Sequence, residues 1–120
     1  MKKINNLNFF NATPHNIALW GEGCDEPIIV TPDTKIDARA VETTVRRASN
    51  FTLVKTEFVG TDEGRSTIVA AKAAGADIIL GSIIAAQAYP GEVFAMISCD
   101  GYERVAPQEK RMRFDKFTTF

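Results

Sequence analysis

Residues 51–98 read FTLVKTEFVGTDEGRSTIVAAKAAGADIILGSIIAAQAYPGEVFAMIS, and this stretch decides the fold class. Phe51 to Val59 carries the β-branched and aromatic residues of a strand, and Arg65 to Ala74 is Ala-rich with Ile68, Val69 and Ala71 on one side, as in a helix. Asp77 to Leu80 is a short apolar strand, Ser82 to Tyr89 an apolar helix, and Val93 to Ser98 a third strand. The order is β-α-β-α-β, with Gly75 as the stop of the first helix and Tyr89-Pro90-Gly91 ending the second. In open sheets of this type, ligands collect where strands hand over to helices. The two handovers are Gly60-Thr61-Asp62-Glu63-Gly64-Arg65-Ser66 and Gly81-Ser82.

Outward from that core, the first 50 residues are β-rich. Asn16 to Trp20 and Pro27 to Thr31 flank a turn at Gly21-Glu22-Gly23-Cys24-Asp25 and predict a hairpin. Lys35 to Val45 alternates Ile36, Ala38 and Ala40 with polar neighbours and predicts another strand. Gly101 to Phe120 is different in composition, charged and aromatic without clear periodicity, and reads as an extended tail. Its three phenylalanines predict packing across its own domain or a neighbouring subunit. The expected fold is one mixed α/β domain over residues 1–120, β-rich at first, then β-α-β-α-β, then the tail.

Composition excludes several classes. The net charge of −1 gives no global field to draw in nucleic acid or an anionic membrane, and no recognised nucleic-acid motif is present. No window approaches the roughly 20 apolar residues of a membrane span. The opening Met1-Lys2-Lys3-Ile4-Asn5-Asn6 has no apolar run behind its lysines, so no signal peptide is expected. Cys24 and Cys99 are too few for a disulfide framework, which fits a reducing cytoplasm. One histidine among scattered carboxylates supplies no ligand set, so no metal or other cofactor is expected.

Two glycines between a strand and a helix let backbone amides approach an anion, and the helix N-terminus favours negative charge. At the first handover Gly60, Thr61, Asp62, Arg65 and Ser66 are therefore candidate ligand contacts, with Arg65 able to fork onto a phosphate. The plain alternative is a capped helix behind a solvated turn. The loop is neither a Walker motif nor a dinucleotide-binding glycine pattern. Gly81 and Ser82 form the second candidate contact, with N-capping by Ser82 as the alternative. If strands 51–59 and 77–80 are parallel neighbours, both handovers share one sheet edge. His15 is a candidate base or ligand contact, against a structural hydrogen bond. Arg104, Arg111 and Arg113 sit in a tail segment whose five cations and three carboxylates give it +2. That segment reads either as a solvated face or as a phosphate clamp contributed across a subunit boundary.

The segment Asn11-Ala12-Thr13-Pro14-His15, together with Thr31-Pro32-Asp33, Gly75 to Ser82, Ala85 to Tyr89 and the ending Asp115 to Phe120, resembles small bacteriophage proteins that open with Asn-x-Thr-Pro-His. The resemblance implies a phage or prophage origin, a compact α/β domain and residence in the cytoplasm of the infected host. A looser similarity is to phage anti-defence proteins that sequester nucleotide immune signals, which are small and oligomeric with pockets at subunit boundaries. The favoured function is a non-enzymatic homo-oligomer that sequesters a nucleotide-like or phosphorylated small molecule. A nucleotide or nucleoside hydrolase or transferase using His15 or Asp62, and a structural or host-interaction protein docking through its aromatic tail, stay open beside it.

Overall fold

A computed structural model describes residues 1–21, 26–106 and 109–120. The turn expected at Gly21 to Asp25, with Cys24 in it, lies outside the described residues beyond Gly21. The chain is a mixed α/β fold, with nine strands and two helices among the described residues. In order these are β1 (Lys2–Ile4), β2 (Leu7–Asn11), β3 (Ile17–Trp20), β4 (Ile28–Val30), β5 (Ala38–Arg47), β6 (Thr52–Gly60), α1 (Asp62–Ala73), β7 (Ile78–Gly81), α2 (Ile83–Ala88), β8 (Phe94–Ser98) and β9 (Met112–Thr118). Among the described residues, no helix is long and apolar enough to cross a membrane.

Seven strands form one sheet in the order β1-β2-β7-β8-β9-β3-β4. The β1–β2 hairpin turns on Asn5 and Asn6, whose φ values of 50° and 65° are those of the two central residues of a tight hairpin turn. β2, β7 and β8 run parallel to one another, and β9 lies antiparallel to β8 and parallel to β3. The sheet curls until its far strand returns to its second: the buried Asn11 side chain on β2 donates to the carbonyl oxygen of Val30 on β4 at 2.9 Å.

Alternation along the strands divides the core into two layers. Phe9, Ile17, Leu19, Val30 and Leu80 fill the inside of the curl with Met96, Met112, Phe114 and Phe117 against them. Phe10, Ala12, Ile79 and Val93 point outward and are covered by Ile68 and Ala71 of α1 and by Ala85 of α2 and Tyr89 just beyond it. Each such large side chain contributes about 1.5–3 kcal/mol on burial, so both layers matter.

Three expectations are revised. The residues read as a tail supply β9, a strand inside the chain's own sheet. β6 is not a neighbour of β7. Among the described residues it pairs only with β5, in a separate two-stranded ribbon, so the handover after it does not belong to the edge that carries Ser82. Finally, α1 begins at Asp62, three residues earlier than its Ala-rich stretch suggests, because Asp62 and Glu63 suit the positive end of the helix dipole and Thr61 caps it. Asp62 to Ser66 is helix rather than open loop.

Candidate functional site

The carboxyl ends of β2 and β7 and the start of β3 meet around Asn11. This residue is fully buried, and all of its hydrogen-bonding capacity is used. Its Nδ2 donates to the carbonyl oxygens of His15 (2.7 Å) and Val30 (2.9 Å), and its Oδ1 accepts from the Thr13 amide (2.9 Å) and hydroxyl (2.7 Å). An Asn whose side chain mimics backbone two residues on makes a tight turn. The five-residue motif is thus a knot that fixes where Thr13, Pro14 and His15 stand. Asp33 ties it to the N-terminus by accepting from the Asn11 amide at 2.9 Å and the Met1 ammonium at 2.7 Å.

Beside this knot opens a cavity of about 600 Å³ lined by Thr13, His15, Asn16, Ser82 and Lys110 above an apolar floor of Ile17, Met96 and Met112. Its size falls within the range typical of small-molecule sites, and it lies at the strand ends where parallel sheets bind ligands. Ala18 and Lys110 also line a second cavity of about 500 Å³ with Trp20, Tyr102 and Arg111, so the two share a wall. There the Arg111 guanidinium carbon sits 3.9 Å from the Trp20 ring centroid and 4.6 Å from that of Tyr102. A planar cation held against two aromatic faces marks a place that suits flat, electron-poor groups. One cavity offers a lysine, a histidine and hydroxyls; the other offers stacking surfaces.

The predicted residues divide between this region and others. His15 and Ser82 line the same cavity, and Arg111 stands next to it. Ser82 also caps α2, its Oγ accepting from the Ala85 amide at 3.1 Å. Gly81 packs tightly: a Cβ there would lie 2.5 Å from Val93 Cγ1.

Gly60, Thr61, Asp62, Arg65 and Ser66 lie elsewhere, around Tyr89. The Tyr89 hydroxyl accepts from the Thr61 amide at 2.8 Å and donates to the Asp37 carbonyl at 2.8 Å. The Gly64 amide donates to Thr61 Oγ at 2.9 Å. The two glycines make room for the tyrosine, since a Cβ on Gly64 would overlap its hydroxyl and one on Gly60 would come within 2.6 Å of its ring. Asp62 and Ser66 are exposed on α1, and Arg65 lies 5.8 Å over the Tyr89 ring. Here the glycines accommodate an aromatic ring.

Of the other tail arginines, Arg113 forks onto its own strand neighbour Asp115 at 3.0 and 3.1 Å. That hydrogen bond raises the Arg113 pKa and holds the Asp115 carboxyl below its ordinary value. Arg104 is exposed on the loop between β8 and β9.

Sequence reasoning passed over Asn11, Trp20 and Tyr102, and had Lys110 only as one of the five cations of the tail read as a phosphate clamp. For Asn11 the signal was present, as an Asn followed two residues later by Thr in a Pro-containing loop. Trp20 and Tyr102 are 82 positions apart in the chain, and the fold sets both rings against the Arg111 guanidinium. Comparison with protein-family models, with curated proteins and with solved structures finds no match to this chain.

Proposed function

We propose that the chain is a binding protein for a nucleotide-like or phosphorylated small molecule, held as a homo-oligomer and acting by sequestration. The observation that carries this reading is the pair of adjoining cavities: an aromatic slot at Trp20 and Tyr102, next to a polar hollow with Lys110, His15 and Ser82. A flat base stacks in the first, where it takes the place of the Arg111 guanidinium. The phosphate lies toward Lys110, and the released Arg111 pairs with it as well. The setting implied by the phage resemblance, removal of a nucleotide immune signal, is the use to which such a protein would be put.

Calorimetric titration with nucleoside phosphates, cyclic nucleotides and inorganic phosphate tests the proposal. Micromolar or tighter binding of a nucleotide is expected, weakened about 10- to 100-fold in Trp20→Ala by loss of one stacking partner. Absence of binding by the wild type refutes it. A second reading keeps one observation in its favour: His15 and Ser82 line one cavity, as a hydrolase or transferase site would require. Ligand recovered chemically intact after denaturing the complex supports sequestration, and conversion to product supports catalysis. The aromatic tail offers little to the docking reading, since Phe114 and Phe117 pack on the chain's own core.

A further inference from the structure

The β5–β6 ribbon stands away from the rest of the molecule. All residues from Val41 to Arg47 and from Phe51 to Glu57 are exposed, and only its base touches α2. The radius of gyration is 16.7 Å and the long axis 57 Å. A compact chain of this length has a radius of gyration of about 13.6 Å, so the ribbon accounts for the excess.

Its end is apolar: Val45 is 61% exposed, Phe51 52%, Leu53 53% and Val54 39%. Four cations (Arg39, Arg46, Arg47, Lys55) against two carboxylates (Glu42, Glu57) give the ribbon +2. The whole chain is −1, so the remainder carries −3. An isolated two-stranded ribbon is marginally stable in water and leaves both edges unpaired.

We infer that this ribbon is an assembly arm, and that its occupant is a second copy of the same chain, whose body receives the arm while its own arm reaches back. Charge complementarity selects that partner, since the cationic arm meets an anionic body. Two-fold exchange also closes the contact, so that no arm is left to propagate a filament. The area suffices. Strands of nine and ten residues at about 3.3 Å each give a face of roughly 30 by 10 Å, and two arms with the surfaces they cover remove about 1,200 Å² from water, the lower bound for stable interfaces. The inference deepens the homo-oligomer of the proposed function and is separate from ligand binding: a monomer that binds nucleotide overturns the assembly and leaves the binding reading standing.

The test is mass in solution by light scattering and sedimentation equilibrium on the full chain. The wild type is expected at twice the 13.2 kDa chain mass. Phe51→Asp with Leu53→Asp is expected to give a monomer with an unchanged far-UV circular dichroism spectrum. Arg46→Glu with Arg47→Glu, at exposed positions, is expected to raise the dimer dissociation constant at least about tenfold by turning attraction into repulsion, and it decides the matter if the first variant fails to fold. A monomeric wild type, or a dissociation constant unmoved by the charge reversal, overturns the inference.

Discussion

The Asn11 side chain donates to the carbonyl oxygen of His15 at 2.7 Å, so the residue that holds the cavity's histidine in place is itself fully buried and out of a ligand's reach. Four hydrogen bonds meet on this one amide.

Asn11→Ala removes all four, and at a net value near 1 kcal/mol each it should lower unfolding free energy by about 3–4 kcal/mol. Asn11→Asp keeps the acceptor but sets a carboxylate against the carbonyls of His15 and Val30, and should cost at least as much. Urea denaturation of the three proteins checks both expectations.

Tyr89→Phe leaves the Thr61 amide without its acceptor and the Asp37 carbonyl without its donor, which should cost about 1–3 kcal/mol. Gly64→Ala drives a methyl group into the tyrosine hydroxyl and should cost a similar amount. The double variant should be less destabilised than the sum of the two, because Phe removes the overlapping oxygen. A thermal-denaturation cycle over the four proteins measures that coupling.

Trp20 is the only tryptophan and lies 3.9 Å from the Arg111 guanidinium, so its emission reports directly on the slot. Arg111→Ala should change its emission intensity and wavelength, while the outer Arg104→Ala should leave both as they are. Steady-state fluorescence of the three proteins suffices.

The Asp115 carboxyl is held below its ordinary pKa chiefly by its hydrogen bond to Arg113. A depressed folded-state value means that the contact's contribution is complete above the unfolded carboxylate pKa and is lost as pH falls through the folded one. Both groups are on the surface, so the effect on stability is small. A carbon-detected NMR titration should place the Asp115 midpoint below that of an unpaired aspartate, and Arg113→Ala should return it to the ordinary range.

Much of the fold was legible in the chain. β6, α1, β7, α2 and β8 follow from strong periodicity and from glycine stops, and Gly75, at φ 98°, ends α1 as its position suggests. β9 was not legible, because an irregularity in its pairing sets the six residues from Met112 to Phe117 against the three from Ser98 to Met96 of β8. Met112 and Phe114 alternate, but Phe117 falls out of phase, so the strand shows no period of two. β1 was overlooked because its signal, the pair Asn5-Asn6, concerns turn chemistry rather than hydrophobic pattern. The site was harder. The glycines of Gly60 to Gly64 signal a close approach equally for an anion and for a tyrosine ring, and Tyr89 lies 25 residues beyond Gly64.

On the proposed function, a nucleotide occupies the hollow between Lys110 and the Trp20–Tyr102 slot. Titrating the protein with nucleotides while following Trp20 emission tests it most directly. A saturable change is expected for at least one nucleotide, with the midpoint shifted at least about tenfold upward in Lys110→Ala by loss of a charge-assisted contact. Emission that no nucleotide alters, or a midpoint identical in Lys110→Ala, would contradict it.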